Sequence, residues 1–125
     1  MDKLINFKKT SSELKKFLAQ PIITDRDRAG IIQAFEFTFE QCWKAIQKMA
    51  FSQGVEIGSP KTAFVFAMKN SWISSQDEEN WLEMIKDRNL TTHTYKEALA
   101  KEVVERIQNQ YLVMFEKLLA ELQRK

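Results

Sequence analysis

Apolar side chains recur at intervals of three and four residues along almost the whole chain, and this spacing constrains the fold more than any other feature. The pattern is clearest between residues 25 and 54, where it predicts an amphipathic helix about 40 Å long. Phe37 and Phe51 lie beside the apolar stripe and widen it, which predicts either a wide core or a dimer interface. The stripe itself consists of Ile32, Phe35, Phe39, Trp43, Ile46 and Ala50.

Helix-breaking and helix-capping residues mark the boundaries of the first three helical segments. Pro21 ends the first segment because proline cannot continue a helix interior. We expect Asp25 to be the N-cap of the second helix. That helix runs at most to Gly54, and Ser59-Pro60 then has the pattern of an N-cap followed by proline at the first helical position. The third helix is therefore predicted to be short.

The boundaries in the second half of the chain are less sharply marked. Small polar residues around Trp72-Ile73 predict a break before the fourth helix. The sequence does not fix where the fourth helix ends, because Thr91 and Thr92 are poor helix formers. A fifth helix is predicted to start near Tyr95 or Lys96 and to carry a long apolar stripe. We expect an all-α, up-and-down antiparallel bundle of four long helices plus one short helix, in a single domain spanning residues 1–125.

Composition excludes several classes of protein. The one cysteine, Cys42, excludes an internal disulfide framework, and the one histidine, His93, excludes zinc sites that need two or more histidines. The net charge of +2 is not that of a dedicated DNA-binding protein. No run of apolar residues is long enough to span a membrane, and the start of the chain does not resemble a signal peptide. We therefore expect a cytoplasmic protein that contacts neither DNA nor a membrane.

The richest polar cluster runs from Asp87 to Tyr95. Its histidine, His93, can exchange a proton near neutral pH, and Arg88 can bind a phosphate through two hydrogen bonds and offset charge that develops on it. Such a pair suits cleavage of a phosphodiester. On an unbroken helix Arg88 and His93 point about 140° apart, whereas Asn89 and His93 share a face. Arg88 and His93 converge only if the helix bends or ends near Thr91-Thr92, or if two chains supply the groups.

Structural roles compete with each of these functional interpretations. Arg88 has Glu83 or Asp87 as possible salt-bridge partners, and His93 can cap helical carbonyls. The acidic residues Glu78, Glu79 and Glu83 complement the dipole at a helix start, so we expect no metal site there. Basic residues of the second helix form either an ordinary solvated surface or an RNA-facing edge; they are Arg26, Arg28, Lys44 and Lys48.

The run Arg88-Asn89-Leu90-Thr91-Thr92-His93-Thr94-Tyr95 resembles the Arg-x4-His-x-Tyr motif of HEPN-domain proteins, in particular the nucleotidyltransferase substrate-binding protein branch. Other stretches resemble the same branch and occur in the expected order, so the resemblance covers the chain from near residue 4 to near residue 122. These stretches are residues 27–40, Trp43-Lys44, residues 58–61 and residues 81–89.

The resemblance implies a helical homodimer in which the Arg-His motifs of both chains meet in a cleft. It also implies a minimal nucleotidyltransferase, encoded nearby, as partner. In this family pattern the HEPN protein is a toxin and a metal-independent endoribonuclease, and its partner is the antitoxin. Arg88 would stabilise the scissile phosphate of the RNA and His93 would be the general acid and base. Asn89 would be a supporting polar group, and Tyr95 would be the hydroxyl that the antitoxin adenylylates.

A second interpretation remains open from the sequence. The chain would then be a non-catalytic substrate-binding subunit of a two-protein nucleotidyltransferase complex, as the family name implies. Neither interpretation requires a cofactor or a metal ion. The ribonuclease interpretation meets one difficulty, because an RNA-cleaving dimer should gather positive potential at its cleft. Arg88 and Lys86 are the local candidates for that potential, and the charge of Asp87 opposes them.

Overall fold

Helices account for nearly all of the regular structure in this protein. The computed structural model describes residues 2–93 and 96–125 and, at position 93, the backbone alone. These ranges contain no strand. The helices are α1 (Lys3–Leu18), α2 (Asp25–Ser52), α3 (Pro60–Lys69), α4 (Glu78–His93), α5 (Glu97–Arg106), a π-helical turn (Ile107–Tyr111) and α6 (Leu112–Gln123).

The predicted fold class is confirmed. Helix α5, the π turn and α6 follow one another without a break and form one rod. This rod, together with α1, α2 and α4, supplies the four long helices of the bundle, and α3 is the short one. No helix within the described residues is long and apolar enough to cross a membrane.

The ends of α2 show which capping residues the chain uses. The N-cap of α2 is Thr24 rather than the predicted Asp25, which is the first helical residue. Thr24 and Asp27 form a reciprocal capping box, in which each side chain accepts a hydrogen bond from the other's backbone N–H. The helix ends at Ser52, and Gly54 follows with a φ of +82°, a backbone conformation that side chains with a Cβ disfavour.

Helix α2 lies at the centre of the bundle, with the other helices packed around it. The ring of Phe35 stacks on Tyr111 with their centroids 5.7 Å apart, and it lies 6.1 Å from Phe115. The predicted apolar stripe of α2 is thus largely buried in the core. Phe37 and Phe51, by contrast, are exposed, so α2 carries more apolar surface than this one bundle covers.

Helix α4 is fixed to the bundle by three buried side chains on one face. Trp81 stacks on Phe64 of α3 at 4.9 Å between ring centroids, and Met84 is fully buried one turn later. Asp87 follows after another three residues and is only 3% exposed. This spacing of three residues keeps all three side chains on the inner face of α4. The polar C-terminal end of α4 is thereby placed over the middle of α2.

Candidate active site

Arg88 lies between α4 and α2, where an aromatic ring and a carboxylate hold its guanidinium. The guanidinium carbon is 5.6 Å from the centre of the Phe39 ring, and Nη2 is 3.8 Å from Oε2 of Glu40. The side chain is 28% exposed, while its Nε is buried and has no hydrogen-bond partner among the described residues. Arg88 is thus oriented by cation–π and ionic contacts but retains hydrogen-bonding capacity.

Glu40 is the residue that sequence reasoning missed at this site. Its Oε2 accepts a hydrogen bond from Nε1 of Trp43 at 3.0 Å, and its Oε1 is 3.3 Å from Nζ of Lys44. Burial by itself would raise the pKa of Glu40. The hydrogen bonds from Trp43 and Lys44 and the charge of Arg88 outweigh burial and hold the pKa below its ordinary value. Glu40 is therefore ionised near neutral pH and faces Arg88 as an anion.

Glu36, one turn before Glu40 on α2, fixes the last turn of α4. Its Oε2 accepts hydrogen bonds from the hydroxyls of Thr91 and Thr92, at 3.1 and 3.2 Å. The backbone carbonyl of Arg88 is a second acceptor within reach, at 3.1 and 2.9 Å, so the single proton of each hydroxyl is shared between it and Glu36. These contacts offset the low helix propensity of threonine, and α4 continues as far as His93.

The continuity of α4 decides how Arg88 and His93 are related within one chain. The helix continues through Thr91-Thr92 as far as position 93, so regular helix geometry puts positions 88 and 93 about 140° apart around its axis. The sequence left open a helix that ends near Thr91-Thr92, and an end before position 93 is wrong. The route that uses a second chain remains. The side chain of His93, and the whole of Tyr95, lie outside the described residues.

Asn89 faces a different part of the bundle from Arg88. It is exposed and lines a groove of about 420 Å³ beside α3, together with Lys61 and Lys86. Arg88 instead packs against α2, since consecutive helical residues point about 100° apart. The structure therefore does not bring Asn89 and Arg88 together within one chain.

Asp87, next to Arg88 in the sequence, is part of a buried network with the C-terminal rod. Nε and Nη2 of Arg106 donate to its two carboxylate oxygens at 2.7 and 2.9 Å, and the hydroxyl of Tyr111 donates to the same carboxylate. Burial and the bond to Asp87 raise the pKa of Tyr111 far above its ordinary value, so its hydroxyl stays protonated. The bond to Asp87 likewise raises the pKa of Arg106, although burial opposes this.

This network corrects two expectations about charge. Arg88 pairs with Glu40, not with Glu83 or Asp87. The carboxylate of Asp87 is neutralised by Arg106 in the interior, so it does not oppose positive potential at the surface.

The predicted basic edge on α2 is not one surface. Arg28 lies near the start of α2 and pairs with Asp25 at 2.6 Å. Lys44 and Lys48 lie near the other end, so Lys48 is about 30 Å along the axis from Arg28. Within the described residues, acidic, cysteine and histidine side chains form no cluster of three or more that is suited to a metal ion.

Structural comparison places the fold among known helical proteins. A crystal structure of a protein from Thermus thermophilus matches with a TM-score of 0.85 and 33% identity, and the match covers 94% of this chain and 99% of the other. A chain from the tri-AMPylated Shewanella oneidensis HEPN toxin in complex with MNT antitoxin matches with a TM-score of 0.79 and 18% identity, covering 98% and 95%. A mutant of the toxin–antitoxin MntA–HpeT matches with a TM-score of 0.78 and 17% identity, with the same coverage.

Sequence comparison identifies the family. No protein with a curated description matches the chain with significant similarity. A family model described as "Nucleotidyltransferase substrate binding protein like" matches residues 2–124, which is almost the whole chain. The chain therefore belongs to the family of nucleotidyltransferase substrate-binding-protein-like proteins, and its helical bundle has the HEPN fold.

Proposed function

We propose that this chain, as one domain spanning residues 1–125, is the HEPN-type toxin of a toxin–antitoxin pair and cleaves RNA without a metal ion. The proposal rests on the surroundings and exposure of the Arg88 side chain. Its guanidinium is oriented by Phe39 and Glu40, partly exposed, and placed at the start of the Arg-x4-His-x-Tyr motif. An arginine held in this way is suited to a phosphate whose charge grows during a reaction.

In the proposed reaction, His93 accepts the proton of an RNA 2′-hydroxyl, and the 2′-oxygen attacks the adjacent phosphorus. Arg88 stabilises the pentavalent phosphate with hydrogen bonds and charge. The 5′-oxygen then leaves with a proton from an imidazolium. Because positions 88 and 93 lie on different sides of α4, Arg88 and His93 come from two chains of a homodimer.

Pairing of two inactive variants tests this arrangement. Arg88→Ala and His93→Ala chains are each expected to be inactive. In a refolded mixture, mixed dimers unite Arg88 of one chain with His93 of the other, which restores about a quarter of the wild-type rate if dimers form at random. Sedimentation velocity on each variant establishes that dimers are present. A mixture of dimers without recovered activity would contradict a site shared in this way.

The first experiment is RNA cleavage in EDTA by protein whose intact mass shows no adenylate. Wild-type protein should cleave, while His93→Ala and Arg88→Ala should not, and circular dichroism should show the same helicity in all three. Arg124→Ala is the matched control, since this arginine lies at the exposed end of the C-terminal rod. If folded, unmodified wild-type protein cleaves no RNA in several pools, the ribonuclease function is excluded.

We propose a minimal nucleotidyltransferase as the antitoxin, with Tyr95 as the residue that it adenylylates. The chain has two tyrosines, and the other, Tyr111, is fully buried with its hydroxyl bound to Asp87. Tyr111 is thus inaccessible to a modifying enzyme. Incubation with ATP and the nucleotidyltransferase should add adenylate mass to the wild type and none to Tyr95→Phe.

A second candidate function is favoured by one observation, the ion pair between Arg88 and Glu40. A carboxylate so close to the arginine competes with a phosphate for it, as in a subunit that only docks with a nucleotidyltransferase. This candidate predicts tight partner binding and no cleavage of any RNA, so the EDTA assay separates the two.

A further inference from the structure

A groove lined by lysine side chains lies one helical turn from the Arg88 site. It has a volume of about 680 Å³ and is bounded by the start of α1, the second half of α2 and the loop after α2. Lys3, Lys44 and Lys48 line it, together with one acidic residue, Glu56. Phe51 lies at its far end and is 67% exposed.

The carboxylate of Glu40 connects the groove to the surroundings of Arg88. Glu40 lies beside Arg88 through Oε2 and beside Lys44 through Oε1. Lys44 in turn lines the groove, and Lys48 follows one turn later on the same face of α2. Arg88, Lys44 and Lys48, with the carboxylate of Glu40 between the first two, therefore follow α2 for about 16 Å to the level of Phe51.

The loop that forms one wall of the groove is held against α2 by hydrogen bonds. Nε2 of Gln47 donates to the carbonyl of Ile57 at 2.7 Å, and the side chain of Ile57 is buried. The N–H of Val55 donates to the carbonyl of Ala50 at 2.9 Å. These bonds hold the loop against α2, so the groove exists before any ligand binds.

The side chains that line the groove have two complementary chemistries. Lys3 and Lys48 form no salt bridge within the described part of the chain, so their ammonium groups are available to an anion. Phe51 presents a large exposed aromatic surface in a helix whose other rings are mostly buried. A basic track that ends at an exposed aromatic ring is the arrangement by which proteins hold single-stranded nucleic acid, with phosphates on the cations and a base on the ring.

We propose that this groove binds single-stranded RNA and leads it to Arg88, with phosphates at Lys3, Lys44 and Lys48 and a base stacked on Phe51. This inference rests on the proposed ribonuclease function and specifies where its substrate lies. It also accounts for the low net charge, because the positive potential is local to the groove. Recognition by charge and stacking predicts little dependence on base sequence.

Binding of a fluorescent single-stranded oligoribonucleotide tests the proposal, with all proteins in the His93→Ala background so that RNA stays intact. Lys3→Gln with Lys48→Gln should weaken binding about tenfold at low salt and reduce the salt slope by about 0.7 for each lysine. The matched control is Lys9→Gln with Lys16→Gln, two exposed lysines of α1 outside the groove. Equal losses in the two pairs would overturn the proposal.

Variants at two further positions distinguish a loss of binding in the groove from a loss of folding. Phe51→Ala should weaken binding at least fivefold and Phe51→Trp should restore it, because both Phe and Trp present an aromatic face. Glu56→Gln removes the acidic lining residue and should tighten binding about twofold, a gain that misfolding does not produce. Unchanged affinity in both Phe51→Ala and Glu56→Gln would overturn the proposal.

Two outcomes distinguish this proposal from the function on which it rests. If the lysine and Phe51 variants bind RNA as well as their His93→Ala parent, and the same substitutions with His93 intact cleave it as well as wild type, the groove proposal is wrong and the ribonuclease function is retained. If RNA binds in the groove but the wild-type protein does not cleave it, the groove proposal is supported and the ribonuclease function is excluded. Loss of nucleotidyltransferase binding in the lysine variants, with RNA affinity unchanged, would instead overturn the proposal in favour of an acidic protein surface.

Discussion

Arg106 donates two hydrogen bonds from its guanidinium to the carboxylate of Asp87, joining the C-terminal rod to the helix that carries Arg88. The π turn makes this pairing part of a larger network. Arg106 and Tyr111 are five residues apart, a spacing that puts side chains about 140° apart on an α-helix. The wider turn between Ile107 and Tyr111 rotates them toward each other, and both reach Asp87.

Replacement of Asp87 by alanine should lower the free energy of unfolding by about 3 kcal/mol. The substitution leaves Arg106 without its partner in a partly buried position and the hydroxyl of Tyr111 without an acceptor. Urea unfolding monitored by circular dichroism measures the change. Glu83→Ala, an exposed carboxylate one turn earlier on α4, is the control and should change the value by less than about 0.5 kcal/mol. Similar losses in the two variants would contradict a special role for Asp87.

Tyr111→Phe removes a hydroxyl but keeps the ring that stacks on Phe35. The lost hydrogen bond to a charged acceptor should cost about 1.5–3 kcal/mol of unfolding free energy. In an Asp87→Ala background the same change should cost far less, because the acceptor is already gone. A double-mutant cycle from four urea titrations gives the coupling energy. A coupling near zero would show that the hydroxyl contributes through some other contact.

Glu40→Gln should increase the affinity for RNA about two- to fivefold. The substitution removes the anion beside Arg88, and a partly exposed ion pair of this kind is worth about 0.2–1 kcal/mol. Fluorescence anisotropy in the His93→Ala background measures the change. Glu116→Gln is the control, since Glu116 pairs with Lys15 through a surface contact of 3.7 Å away from this site. Weaker binding by Glu40→Gln would mean that Glu40 orients Arg88 more than it competes with phosphate.

The capping box at the start of α2 should contribute to the acid sensitivity of the fold. Hydrogen bonds from the backbone N–H groups of Thr24 and Ile23 hold the pKa of Asp27 below its ordinary value of 3.8. The unfolded chain therefore binds this proton at a higher pH than the folded chain does. The stability that Asp27 supplies is present above pH 3.8 and is lost as the pH falls through the folded-state pKa.

Asp27→Asn tests this linkage. The variant should be less stable than wild type at neutral pH, and its unfolding free energy should depend less on pH between about 5 and 2. Urea titrations across this range measure both effects. Glu105→Gln removes an exposed acid from α5 and controls for the change in net charge. Parallel pH profiles of wild type and Asp27→Asn would contradict the prediction.

Much of the helical architecture follows from local features of the sequence. Pro21, Gly54 and the pair Ser59-Pro60 act within their own turns, through missing donors, a positive φ and a side-chain cap. The apolar stripe of α2 needs only its own periodicity to predict which face is buried. Local rules failed at the N-cap of α2, where Asp25 and Thr24 are both good caps. The partner three residues along, Asp27, favours Thr24.

The candidate site depends on contacts between residues far apart in the sequence. Thr91 and Thr92 weaken a helix by propensity, but Glu36, more than fifty residues earlier, binds both hydroxyls. The burial of Asp87 likewise depends on a π turn in another helix. The spacing of apolar residues does not predict that turn. The pairing of Arg88 with Glu40 required the relative placement of α4 and α2.

The sequence by itself determined the helices, the bundle and the Arg-x4-His-x-Tyr motif, because each rests on spacing along one segment. Tertiary structure alone decided that α4 stays helical through position 93, that Asp87 is neutralised in the interior, and that Arg28 at the start of α2 belongs to a different surface from Lys44 and Lys48 near its end. The physical reason is the range of the interactions. Periodicity and capping act within a turn of helix, whereas ion pairs and buried hydrogen bonds form only once packing has brought distant segments within a few ångströms.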